Sequence, residues 1–321
     1  MLQEQAPAPL EFLETMAMAT AAASSEREYA LDAASDAPRA PWRPHASDPT
    51  TPTISARALV KARGTVEDLV RSYFPLLGLP IDDVLCFADA LYFIAASLYE
   101  CDEANEAGGD PVGGDAWRSL EAFLCGRGVL CERVRAALDR GASYWRSERR
   151  LAAAWAAPVG GDAAEDALLA EAIAASAAKS FDYEVLVLVV GALANVRPRV
   201  LARLELFNAC FHLVEIEDDL RDYDGDVASG AFNLFFAFVR RHGRHAEVAL
   251  RAWIAKAEAR YRAALGALDA RELAFHVDRN EAQGGAGPAM APRTGRWVVP
   301  TVVRPPRGRR PPPGPKSIIV V

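Results

Sequence analysis

The chain has 321 residues, 51% of them hydrophobic and 25% charged, which is enough apolar content to bury a sizeable core and excludes wholesale disorder. Its 36 basic and 43 acidic residues give a net charge of −7, which opposes a polyanion, so nucleic acid is not expected as a partner. Five cysteines (Cys86, Cys101, Cys125, Cys131 and Cys210) form no CxxC pair and are expected as reduced core thiols, not as a zinc knuckle or a disulfide scaffold.

Residues 1–56 are rich in Ala, Pro, Ser and Asp and show no apolar period, so they are expected to form a disordered arm. With Glu4, Pro7, Pro9, Glu11 and Glu14, the start resembles neither a cationic signal peptide nor an Arg-rich transit sequence, and a cytoplasmic location is expected. Residues 57–275 read as one helical domain. Thr65-Val-Glu-Asp68 has the capping-box spacing and predicts a short helix ending near Phe74-Pro75. Pro80-Ile-Asp-Asp83 predicts the start of a second helix, whose apolar stripe runs through Phe87, Leu91, Ile94 and Leu98 to about Glu106.

After Gly108–Gly114, helical patterns recur at about 116–125, 130–155, 163–178, 183–195, 198–225, 231–242 and 246–273, punctuated by Gly160-Gly161 and Arg197-Pro198. The longest apolar run, Val185–Val196, is too short for the ~20 residues that span a bilayer, so no transmembrane segment is expected. No hairpin or βαβ pattern appears. The fold class is therefore all-α, a bundle of about eight helices. Residues 276–321 turn to Gly, Pro and Arg, as in Arg307-Gly-Arg-Arg-Pro-Pro-Pro-Gly-Pro-Lys316, and are expected to form a disordered basic tail.

The most informative segment is Phe207–Asp226. On a helix Asp218, Asp222 and Asp226 recur at i, i+4 and i+8 and project from one side, with Asp219 and Glu215 beside them. Like charges at this spacing repel, and a string of carboxylates offers the oxygen ligands that Mg²⁺ accepts where substrate phosphates complete its shell. An EF-hand is excluded, because aligning Gly225 with the invariant glycine puts Leu220 at the first ligand position. The alternative is a solvated acidic helix end. Against it stand the apolar stretch Leu204–Ile216 just upstream and a counterpart at the end of the earlier helix, where Asp102, Glu103 and Glu106 repeat the DDxxD geometry as DExxE.

Asp218-Asp-Leu-Arg-Asp222 is a literal DDxxD, and Leu220–Gly230 resembles the LRDxxxD…G motif of squalene and phytoene synthases. The same aspartates are similar to the second metal motif of class I terpene synthases, with Asp222 where Ser or Thr is usual and Asp226 in place of Glu. Ala90-Leu-Tyr-Phe93 leading into Asp102–Glu106 is similar to the first motif of the same isoprenoid synthase superfamily.

This resemblance implies an isoprenoid synthase-type bundle in which two acidic helix ends hold several Mg²⁺ ions on a prenyl diphosphate. The implied activity is that of a terpene synthase, cyclising or quenching an allylic carbocation. A squalene/phytoene-type coupling enzyme, or a non-catalytic bundle that binds a prenyl lipid or a protein partner, is the alternative. Asp218, Asp222 and Asp226 are the catalytic candidates, joined as metal ligands by Asp102, Glu103, Glu106 and Asp219. Arg221 and Arg240 are candidates for the diphosphate, and Phe93, Tyr99, Phe207 and Phe211 for the cavity wall, where ring faces stabilise a cation. His242 and His245 have HxxH spacing without a third ligand nearby and are not expected to bind zinc.

Overall fold

The computed structural model describes residues 54–282, together with 297, 299 and 300. Among the described residues twelve α-helices follow one another: α1 Ala56–Asp68, α2 Ile81–Leu85, α3 Ala88–Glu106, α4 Asp115–Gly126, α5 Glu132–Trp155, α6 Asp162–Ala178, α7 Phe181–Leu193, α8 Arg197–Arg221, α9 Tyr223–Ser229, α10 Leu234–His242, α11 Ala246–Leu265 and α12 Ala270–Ala282. There is no strand among the described residues. The chain is all-α, as expected, but with more helices than the eight read from the sequence.

The difference lies in starts and breaks that periodicity does not register. The first helix begins nine residues before Thr65, at a cap where the Ser55 side chain accepts the Ala58 amide at 3.1 Å. Thr65 is buried inside α1 and bonds the Tyr99 hydroxyl instead. A reciprocal capping box does occur, at α12: Asp269 accepts the Glu272 amide at 2.8 Å, and Glu272 accepts the Asp269 amide at 2.9 Å. The helix predicted from Pro80 breaks at Phe87, whose backbone leaves the helical region at φ −118°, ψ 7°. The helix predicted over 198–225 breaks at Asp222, at φ −93°, ψ 4°, and restarts as α9. α12 continues past the expected boundary at 275. Its His276 is buried and meets the Tyr261 hydroxyl at 2.8 Å through Nε2. Residues 1–53 and most of 283–321, where both arms were expected, lie outside the described residues, although Trp297 is buried with its indole N–H on Glu258 at 2.8 Å.

α7 is the hub. Val185, Leu186, Val187, Val189 and Val190 are fully buried, because α5 covers one side of this helix and α8 another. Each such side chain contributes roughly 1.5–3 kcal/mol of transfer free energy. α1 packs on α3, α3 on α4, α6 on α5 and α10, and α11 on α8 and α10. The apolar run in α7 is thus a core helix, and no helix among the described residues is long and apolar enough to cross a membrane. None of the five cysteines is in a disulfide, but only Cys101 and Cys210 are buried, and Cys86 and Cys125 are exposed. α5 and α7 approach closely at Gly141, where a Cβ would lie 2.2 Å from the Phe181 ring.

Candidate active site

Two helix ends define the site. α3 terminates at Glu106, with Asp102 one turn before it on the same face. α8 terminates at Arg221, so Asp218 and Asp219 occupy its last turn, where nothing in the helix dipole favours negative charge. The break at Asp222 does not disperse the aspartates, since the Asp222 amide still bonds the Asp218 carbonyl at 2.8 Å and the Asp226 amide the Asp222 carbonyl at 2.9 Å. Asn233 then fixes Asp226: it caps α10 and gives its side-chain N–H groups to Asp226 Oδ2 at 2.9 Å and to the Asp219 carbonyl at 2.5 Å. Gly230, at φ +80°, makes the left-handed turn that brings Asn233 back under the motif.

Asp102 and Glu106 from α3 and Asp218, Asp219, Asp222 and Asp226 from α8 and α9 line one cavity of about 430 Å³, a size usual for a small-molecule site. Motifs far apart in sequence therefore share one space. The same cavity is also lined by aromatic rings, those of Tyr73, Tyr99, Tyr144, Trp145, Phe181, Tyr183, Phe211 and Phe232. Tyr73 and Phe211 pack at 4.8 Å between ring centroids, as do Tyr183 and Phe211.

The electrostatics are one-sided. The described lining residues include ten carboxyl side chains and a single cation, Lys179. Burial, then the Asp102 charge, holds Glu106 above the usual carboxylate range. Burial, then Glu215, does the same for Asp218 against the pull of Arg221 and Lys179. Burial likewise raises Asp226, opposed by the Asn233 hydrogen bond. Burial also opposes the charge on Lys179, but Glu215 at 3.1 Å and Asp219 at 2.8 Å outweigh it, and its pKa is raised well above the ordinary lysine value.

The remaining candidates divide. Tyr99 and Phe211 line the cavity. Asp219 lines it too, but its oxygens are already taken by Lys179 and by the Leu234 amide at 3.0 Å. Glu103 is not among the lining residues and pairs with Arg57 at 3.2 Å. Phe93 packs against Phe123 at 4.6 Å, and Phe207 packs behind Tyr73 at 5.3 Å, both outside the lining. Arg221 is 61% exposed and pairs along its own helix with Asp218 and Glu217. Arg240 is not among the lining residues and is held in a buried pair with Glu165 at 2.7 Å and on the Trp155 and Ala157 carbonyls.

Three cavity residues carry no signal in sequence spacing. Lys179 occupies the joint between α6 and α7. Glu148, on α5, accepts the Tyr144 hydroxyl at 2.9 Å and the Asn105 side chain at 2.6 Å, and burial pushes its pKa up to about 7. Asp182, at the start of α7, is also raised to about 7, by burial and then by Glu215.

Among the described residues no three His, Cys, Asp or Glu side chains converge as a ready-made metal site. The carboxylates face a common space instead. Such a donor set, all hard oxygens and in excess over the local cation, suits Mg²⁺, which binds through one or two carboxylates per ion with substrate phosphates as further ligands. Comparison with known proteins yields no match, whether to a family model, a curated protein or a solved structure.

Proposed function

We propose that this cavity takes an allylic prenyl diphosphate and ionises it in an Mg²⁺-dependent class I terpene synthase reaction, on an isoprenoid synthase-type bundle. The observation that carries this reading is the meeting of the two acidic helix ends over one aromatic cavity with ten carboxyls to one lysine. Asp102 and Glu106 on one side and Asp218, Asp222 and Asp226 on the other are the residues that would hold the metal. Bound there, it would neutralise charge on the departing diphosphate.

The chain's own groups supply the rest. Two carboxylates engage the Lys179 ammonium, which has three N–H donors, leaving one for a diphosphate oxygen. The aromatic wall keeps water from the hydrocarbon and offers ring faces to the allylic cation. Trp145 orients Asp102 by donating its indole N–H to Oδ1 at 3.1 Å, so the wall and the rim are mechanically linked.

A second reading rests on the same lysine. No arginine lines the cavity among the described residues, and Lys179 is already paired, which favours a bundle that binds a prenyl lipid or a protein partner without turnover. The two readings separate in one assay: diphosphate release from C10, C15 and C20 allylic diphosphates with Mg²⁺ and with chelator. Metal-dependent release is expected, and the organic extract then distinguishes cyclised or quenched products from squalene/phytoene-type coupled ones. No release from folded protein would overturn the catalytic reading in favour of binding alone.

A further inference from the structure

Asp182 lines the same cavity as the acidic residues of the two helix ends. Its Oδ2 accepts the Tyr99 hydroxyl at 3.2 Å, and Tyr99 precedes Asp102 by three residues, ~4.5 Å along α3. The Tyr99 oxygen in turn meets Thr65 Oγ1 at 2.5 Å, and since Tyr99 commits its proton to Asp182, Thr65 is the donor in that contact. The result is a chain Thr65 to Tyr99 to Asp182 that leads from α1 into the cavity. Leu98, Tyr73, Tyr183 and Phe211 line the same space. Glu215 and Asp219 engage the cavity's lysine, whereas Asp182 lines the cavity as a carboxyl held by a hydroxyl.

We propose that Asp182 is the base that ends the reaction, accepting a proton from the carbocation formed in this cavity, an assignment that rests on the prenyl diphosphate reading above. A C–H bond on the carbon beside the cationic centre breaks, its electron pair becomes a new C=C bond, and the proton passes to an Asp182 carboxylate oxygen. The products are an alkene and diphosphate, and Asp182 returns the proton to water when the alkene leaves. Asp182 titrates at about 7, raised by burial and by Glu215 of α8 and Asp102 of α3, and lowered by the Tyr183 amide and the Tyr99 hydroxyl. A base with that affinity accepts a proton and releases it again at neutrality. Its place on the cavity wall, fixed by Tyr99, selects which C–H is within reach.

The test uses the full chain with Mg²⁺ and whichever of the C10, C15 and C20 allylic diphosphates it ionises, and reads diphosphate release and the alkene-to-alcohol ratio separately. Asp182→Asn is read by the product ratio per turnover, which does not depend on how fast diphosphate is released. Its alkene share is expected to fall about tenfold or more as water captures the cation. Tyr99→Phe keeps the carboxylate but removes the hydrogen bond that lowers its pKa, so the midpoint of the alkene-to-alcohol ratio against pH is expected to move upward. Infrared difference spectra of the metal-free protein between pH 6 and pH 8 give a readout independent of turnover: a protonated-carboxyl band to which Asp182 and Glu148 both contribute, reduced in Asp182→Asn and further reduced to baseline when Glu148→Gln is added. An unchanged alkene share in Asp182→Asn, an unshifted midpoint in Tyr99→Phe or an infrared difference that survives Asp182→Asn unaltered would overturn the assignment. Absence of release from wild type sinks the parent reading and this one together, whereas release without change in the variants sinks this one alone.

Discussion

Two polar layers of the molecule use the same residue types to opposite ends. Where α10 meets α6, Arg240 is buried against Glu165, and Arg241 pairs with Asp166 and Asp162, so every arginine finds its carboxylate. In the cavity, carboxyls outnumber cations ten to one among the described residues, and burial raises several of their pKa values. A balanced buried pair needs nothing further and holds helices in place. An unbalanced cavity costs stability that the rest of the fold must supply, which is what marks it as the candidate site.

The largest effect should come from the unbalanced side. Asp218→Ala and Asp102→Ala are each expected to lower Mg²⁺-dependent diphosphate release about 10³-fold, or about 4 kcal/mol in the barrier, while the fold is retained, with Asp102→Ala losing about 1 kcal/mol of stability because the Trp145 indole N–H loses its acceptor. Unimpaired release in Asp102→Ala would break the pairing of the two motifs. On the balanced side, Arg240→Met should leave Glu165 buried and unpaired and cost about 3 kcal/mol in chemical denaturation. Release per folded molecule should be unchanged, and a selective loss of turnover there would return Arg240 to the diphosphate.

The pH dependence sharpens the contrast further. Glu148 has a folded pKa of about 7 against an ordinary value of 4.5, so the folded state binds the extra proton. Stability from this group is therefore full below the ordinary value and lost as pH rises through 7. His212, lowered to about 4 mainly by burial, acts in the opposite sense and loses stability as pH falls below 6.5. Wild type should consequently be near level from pH 5 to 6.5 and weaken above it, with Glu148→Gln sparing about 1 kcal/mol of that loss between pH 6 and 8 in urea titrations. The smallest effect belongs to Arg221→Ala, expected to change stability by less than about 0.5 kcal/mol, because its two pairs are solvent-screened. A drop of tenfold or more in release would show that Arg221 leaves those pairs for substrate.

What the sequence disclosed follows from the reach of helical periodicity. Asp102 and Glu106, and Asp218, Asp222 and Asp226, are each related by local spacing, so they could be read without knowing how the helices pack. Even the break at Asp222 preserves their alignment, because the i to i+4 bonds persist through it. Lys179, Glu148 and Asp182 owe their roles to neighbours on other helices, and no spacing encodes those. Arg240 failed for the same reason: its charge was legible, but the partner that consumes it, Glu165, is 75 residues away. Thr65 shows the limit of a local motif, for the capping pattern was present and the chain before it was already helical.

The closeness of α5 and α7 at Gly141 has a consequence for how this protein could diversify. Phe181 stands between that glycine and the cavity, braced edge to face on Trp145 at 5.2 Å, so the ring's position is a ruler set from behind. A methyl or larger group at 141 advances the ring into the space available to hydrocarbon while leaving every acidic residue untouched. Chain-length preference would then be inherited through a position that never meets the ligand, and competition between short and long chains in Gly141→Ala would reveal it as a shift toward the shorter.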